Sequence, residues 1–219
     1  MPMLGNKYIL AIDIISLGLG INGMVAVANL PLPPHLQAAG PWQFLTNLSL
    51  MLSNIVFALG VIAHATKSST IFQWKNRLGP FGLIMEMIVF MVYWPLRLFF
   101  LHLLVKNIDD FRATLFIDLS IHLMPVVSLL VDFMWFSPTC TITNSQALAI
   151  CLVATGGYWS WLHRIVDLEN GAEFPYNFLN VDSTVVRGVI FTFVGLVAFL
   201  NFVLIQMVYR SVVSERKHQ

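Results

Sequence analysis

Of the chain's 219 residues, 58% are hydrophobic and only 11% charged, with a mean hydropathy of +0.77 and a formal net charge of +1. A soluble domain carries roughly 25% charged residues, so this composition leaves too few charges to wet a globule of this size and names lipid as the solvent. The near-neutral balance lacks the basic face that a nucleic-acid partner requires. Cys140 and Cys151 make neither a disulfide framework nor a metal-ligand spacing, and read as small apolar residues packed among helices.

A membrane-crossing helix needs about 20 mostly apolar residues. The first such run is Tyr8 to Leu30, ended by Asn29 to Pro34. Lys7 precedes it and Ala26-Val27-Ala28 lies near its end, as in a secretory leader. Its apolar stretch is longer than the roughly 7–15 residues of a signal core, so it is read as a retained anchor. Phe44 to Ala65 is the second run, and Lys67 to Gly79 a polar break with Lys67, Lys75 and Arg77. Pro80 to Leu104 is the third, with Trp94-Pro95 inside it, where a kink or unwound stretch is expected. Ala113 to Phe136 is the fourth, Gln146 to Ile165 the fifth, after a short turn at Pro138 to Ser145, and Thr184 to Tyr209 the sixth, after a polar loop from Asp167 to Asp182. The runs are uniformly apolar rather than alternating, which excludes barrel strands. The fold class read here is all-α: one polytopic membrane domain over 1–219 with about six transmembrane helices in one bundle, and a flexible cytosolic tail over 214–219. No repeat at a fixed period points to a repeat-built transporter.

Six spans put both termini on one side. That side carries Lys7, Lys67, Lys75, Arg77, Arg210, Arg216 and Lys217, whereas the other has Lys106, Arg112 and Arg187 together with Asp109, Asp110, Asp167, Glu169, Glu173 and Asp182. Basic residues favour the cytosolic side, so both termini are expected there. The sequon Asn47-Leu48-Ser49 lies within a span and is expected to be unavailable for glycosylation.

Ionisable and amide side chains inside spans cost a few kcal/mol each unless paired or facing a cavity. Asp13, Asn22, Asn47, Asn54, Glu86, Arg97, Asp118, His122, Asp132, His163, Arg164, Asn201 and Gln206 make a long series for six helices. Some of them must line a polar interior. Thr46, Ser49 and Ser53 recur at three- and four-residue steps, on one helix face. Hydroxyls of this kind commonly bond back to a carbonyl one turn earlier, a purely structural role. Asp118 and His122 are four apart, hence also on one face. A carboxylate there can hold an imidazole in one tautomer, as the acid of a catalytic triad does, or the two can simply shield each other from lipid. Arg97, after Trp94-Pro95, suits a lipid head group or carboxylate, or snorkels to the interface. His35, His64, His102 and His218 lie in loops or near span ends and are expected to be solvated or interfacial. The scattered histidines form no clustered histidine boxes for a di-iron centre.

Trp42-Gln43-Phe44-Leu45-Thr46 resembles the W-x-F-L-T motif of the androgen-induced-gene family of membrane proteins. The His122 segment resembles that family's histidine helix, with Asp132 ten residues later where members often carry an acid. Gly157-Tyr158, Trp161-Leu162-His163 and Phe174-Pro175-Tyr176 resemble its fifth span and following loop, and Leu200-Asn201-Phe202 its last span. Each motif is short; their collinearity over most of the chain carries the resemblance. It departs at Leu119-Ser120-Ile121, which lacks the second histidine, at Asp118, where members carry Asn, at the early Pro125, and in a longer loop after His163.

The resemblance implies a threonine-dependent hydrolase of fatty acid esters of hydroxy fatty acids, in the endoplasmic reticulum, with Thr46 as nucleophile and His122 as essential histidine. It implies no cofactor and no metal. The partners implied are the membrane and a lipid ester entering from the bilayer. Asp118, Asn47, His163 and Asn201 are candidates for orienting the histidine or holding the oxyanion, and Arg97 for a substrate head group. Thr46 lies two or three residues into its span and His122 about nine. At about 1.5 Å per residue these depths are roughly 4 Å and 14 Å, so tilt or offset helix starts must bring them level. A lipid or solute carrier, a scaffold, and an acyl transferase stay open as alternatives on the residues alone.

Overall fold

A computed structural model describes residues 4–107, 113–138 and 142–217, with side chains as far as Ser211. Asp109, Asp110, Arg112, Cys140 and His218 lie outside the described residues. Among those described there are helices and no strands.

Helix α1 spans Lys7–Asn29, and Asn6 caps it by accepting from the Tyr8 amide at 2.9 Å. A short α2 (Pro34–Gln37) and a 3-10 turn (Pro41–Gln43) lead into α3, Leu45–Thr66. Gly40 between them adopts φ 66°, ψ −168°, a conformation essentially reserved for glycine. Helix α4 runs Ser69–Phe99, with Ser68 as its capping residue. The expected third span therefore begins eleven residues before Pro80, and the break at Lys67–Gly79 shrinks to a turn in which Lys67 sits at φ 55°. The reason is that Lys75, polar by sequence, is buried against Asp132 from a distant helix. The helix continues through Pro80 and Pro95, to be followed by the single turn α5, Leu101–Leu104.

The fourth expected span is helical from Leu115 to Phe136 but not continuous. It consists of α6 (Leu115–His122), a break at Leu123, α7 (Met124–Val131) and one π-helical turn, Asp132–Phe136. Helix α8 covers Asn144–Ile165, opened by a capping box between Thr143 and Gln146, and α9 covers Thr184–Lys217. Among the described residues, five helical segments, Lys7–Asn29, Leu45–Thr66, Ser69–Phe99, Leu115–Phe136 and Thr184–Ser211, are long and apolar enough to cross a membrane. Helix α8, at 22 residues, has the length but is diluted by Asn144, Gln146, Gly156, Gly157, His163 and Arg164.

Helix α4 is the hub. It packs against α3, α7 and α9, while α1 lies across α3 and the α6–α7 segment, and α8 pairs with α9. One apolar core joins α3, α4 and α7 through Val56, Phe57, Leu83 and Leu129; a second joins α4, α8 and α9 through Ile84, Cys151 and Phe202. Large apolar side chains also face outward, Val153, Val185 and Phe193 among them, at 75%, 76% and 64% exposure. Such exposure around a helical bundle is the surface lipid solvates. The molecule is an all-α polytopic membrane protein.

Candidate functional site

The first turn of α3 has no side-chain cap of its own, since Phe44 occupies the capping position. A distant loop supplies one: the Leu45 amide donates to the Tyr176 hydroxyl at 3.1 Å. The neighbouring Thr46 is 7% exposed, and its hydroxyl lies beside the same phenol. The turn before α3 is held equally firmly. Gln43 donates through Nε2 to the Leu36 and Gly40 carbonyls, both at 2.8 Å. Tyr158 of α8 donates to the Gln43 carbonyl at 2.8 Å, and Trp161 to that of Trp42 at 3.0 Å. The loop carrying Tyr176 is pinned by the buried Arg187, which donates to the Leu179 and Val181 carbonyls at 2.9 and 2.6 Å and lies 4.5 Å from the Phe174 ring centre. Arg187 is thus a structural cation rather than a loop charge.

His122 ends α6, 6% exposed, at the break produced by Leu123 and Pro125. Its ring stacks on Tyr93 of α4, with centres 3.4 Å apart and planes 4° apart. Trp94 donates to the His122 carbonyl at 3.3 Å. Asp118 lies on the same face, but its carboxylate is 3.9 Å from His122 Nδ1, beyond hydrogen-bond length. It instead accepts from Tyr93 at 2.7 Å and from Arg97 Nε at 3.3 Å. His122 Nδ1 has no hydrogen-bond partner. The arrangement fixes the imidazole plane by stacking.

Thr46, Asn47, Asp118 and His122 line one cavity of about 200 Å³, with Tyr93 and Tyr176 in its wall. Residues from Leu30 to Phe44 and from Phe174 to Asn180 also line it. These segments wall the cavity that Thr46, at the start of α3, shares with His122, at the end of α6. Asn47 is committed to the Pro41 carbonyl, to which it donates at 2.7 Å. Arg97 stands behind the wall, tied to Asp118. His163 and Asn201 are not brought to the cavity. His163 is exposed on α8, bonded to its own Trp159 carbonyl at 2.8 Å, and Asn201 lies on α9.

Two of the histidines expected in loops have different outcomes. His102 is exposed, but His64 is buried at the opposite end of α3, accepting from the Gly5 amide at 3.2 Å. The amide of the N-terminal segment folds down onto the ring and covers it.

The pattern of the FAR-17a/AIG1-like protein family matches residues 12–210, nearly the whole of the bundle. The chain belongs to the FAR-17a/AIG1-like family. Its relatives include the "UPF0641 membrane protein YHR140W" of Saccharomyces cerevisiae, 31% identical over 200 residues that cover 84% of this chain and 83% of the yeast protein. The "UPF0641 membrane protein PJ4664.05" of Schizosaccharomyces pombe is 25% identical over 168 residues, covering 77% of this chain and 74% of its own. No solved structure matches the chain. Within this FAR-17a/AIG1-like bundle, the sequence singled out Thr46 and His122 as candidates, named Trp94 only for the proline after it and Tyr176 only for the loop it lies in, and did not mark Tyr93. The available signal was an aromatic with a polar handle close to an in-span ionisable pair, since buried Tyr and Trp must place their O–H or N–H on something.

Proposed function

We propose that this chain is an intramembrane lipid ester hydrolase that cleaves fatty acid esters of hydroxy fatty acids, with Thr46 as nucleophile and His122 as base. In this reading it resides in the endoplasmic reticulum membrane with both termini cytosolic. The observation that carries it is the convergence of Thr46 and His122, from separate helices, on one cavity of an apolar bundle.

A threonine hydroxyl is a weak nucleophile that needs an adjacent base. As Thr46 Oγ adds to the ester carbonyl carbon, its proton passes to His122. Collapse breaks the bond to the alcohol oxygen, which takes that proton and leaves as the hydroxy acid. Water then attacks the acyl-threonine with His122 again as base, releasing the fatty acid and restoring Thr46. The developing oxyanion lies at the start of α3, where the positive end of the helix dipole favours negative charge. Tyr176 is the donor there. Burial pushes its phenol above the ordinary tyrosine range, so it stays protonated and able to donate. Tyr93 holds the His122 ring from one face, and Asp118 holds Tyr93.

The test is hydrolysis of a palmitoyl ester of hydroxystearic acid by detergent-purified protein. Thr46→Ala and His122→Ala are each expected to lower kcat/KM by at least about a thousandfold with wild-type thermal unfolding, because members of such a pair act as a unit. Equal activity in all three proteins sinks the proposal. One observation favours a carrier instead: below the cavity, buried Glu86 accepts from Ser53 at 2.8 Å, and the Lys75–Asp132 pair follows. Under that reading Thr46→Ala is silent and Glu86→Gln alters flux across vesicles.

A further inference from the structure

Thr46 lines a second cavity as well as the first. This one, of about 80 Å³, lies between α4, α8 and α9, and shares Thr46, Tyr93, Leu104 and Tyr176 with its neighbour. Its other walls are mainly apolar, with Met85, Val89, Ala154, Ile190 and Val194, and include the hydroxyl-bearing Thr155. The tyrosines that reach it have turned their hydroxyls elsewhere: Tyr93 to Asp118, Tyr158 to the Gln43 carbonyl, and Tyr176 to the Leu45 amide. Along α4 the wall runs from Met85 to Tyr93, roughly 12 Å at the helical rise. Such a chamber favours an apolar guest, and its length exceeds that of a small solute.

The two cavities differ in one chemically decisive residue. His122 lines the first and not the second. The group that protonates the leaving alcohol must stand beside the alcohol oxygen. The first cavity is the more polar of the two: beside Asp118 it carries His35, Asn177, Asn180 and Lys106, the last paired to Glu173. We infer that the second cavity is the acyl chamber: the carbons next to the ester carbonyl enter between α4, α8 and α9 and the rest of the fatty acyl chain runs on towards the bilayer, while the hydroxy acid half lies in the first cavity beside His122. Thr46, in the shared wall, meets the ester bond where the two halves join. This assignment rests on the hydrolase reading. It makes Ala154, Ile190 and Val194 the residues that set acyl-chain preference. In the acyl-threonine, the chain stays in the chamber while the alcohol, protonated by His122, departs through the first cavity.

The experiment compares acetyl and palmitoyl esters of the same hydroxystearic acid, hydrolysed by wild type, Ala154→Phe, Val194→Phe and the outward-facing control Val127→Phe. Filling the chamber is expected to lower the ratio of palmitoyl to acetyl turnover at least tenfold in both chamber variants and leave it unchanged in the control. In parallel, a palmitoyl ester with a diazirine on the fourth acyl carbon is photolysed on folded Thr46→Ala, in which the rest of the chamber wall is native. Label is expected in peptides containing 154–158 and 190–194. Label in 27–36 instead, or an unchanged ratio in active chamber variants, overturns the chamber alone. No hydrolysis of either ester by wild type removes the reading on which the chamber rests.

Discussion

Lys75 and Asp132 form an ion pair in which the side chains are 1% and 6% exposed. Asp132 also accepts from Ser137 at 3.3 Å. Taking two charges into a low-dielectric interior is costly, and the pair survives because each partner neutralises the other. Removing one leaves an uncompensated buried charge. Lys75→Met alone, or Asp132→Leu alone, is expected to destabilise the bundle by about 3–5 kcal/mol. The double variant, apolar on both sides, should recover most of that loss. Denaturant unfolding in detergent micelles checks this, and a double variant as unstable as the worse single would show that the pair is not the source. Asp132 stood out in the sequence as an acid within an apolar run. Lys75 did not, because its neighbours Trp74, Asn76 and Arg77 read as a polar turn. The same asymmetry governs the site: Thr46 and His122 were legible from their spans and motifs, whereas Tyr93 is an ordinary aromatic until its ring is found stacked on the imidazole.

At the scale of an element, the decisive feature is the interruption between α6 and α7. Leu123 takes φ −122°, ψ −50°, outside helical geometry. Pro125 has no amide hydrogen, and its ring crowds the carbonyl four residues earlier, so a continuous helix is penalised there. The break leaves His122 at the end of α6, where Trp94 holds its carbonyl. Broken helices inside membranes are tolerated where they line cavities or are buried in protein. Pro125→Ala removes the penalty and is expected to let α6 and α7 join, rotating His122 away from Thr46. Ester hydrolysis should fall at least tenfold while thermal stability holds or rises. Loss of activity and stability together would mark the proline as merely structural. The sequence places a proline here plainly enough. It does not say on which side of it the helix stops, because several turn geometries accommodate the same residue.

For the whole molecule, the bundle is organised around α4, with the first cavity between α1, α3, α6 and the covering loops, and the second among α4, α8 and α9. The relation of this arrangement to the two sides of the membrane follows from the basic residues. Lys75 and Arg187 leave the tally of loop charges, since both are buried. With α8 counted as a sixth span, Lys7, Lys67, Arg77 and Arg210 share one side, and the termini are then expected to face the cytosol. A cysteine introduced at Asn6 should react with an impermeant maleimide only from the cytosolic face of sealed microsomes, and one at Asn170 only from the lumen. The opposite pattern would invert the topology and place the covered end of α3 on the cytosolic side.

What the sequence alone determined is what depends on local sums: membrane class, helical fold, the approximate places of the spans, and the acids, amides and histidines that lipid does not tolerate unaccompanied. Apolarity and length are additive along the chain, so they can be read without knowing what touches what. The tertiary structure decided which of those polar groups meet. It brought Thr46, Asn47, Asp118 and His122 onto one cavity, left His163 on an outer face, buried Lys75 and His64, and placed Tyr176 as the cap of α3 from 131 residues away. Those outcomes depend on the rotation of each helix about its own axis and on which faces dock. A rotation of one residue, about 100°, moves a side chain from a shared cavity to the lipid while leaving every span's composition unchanged.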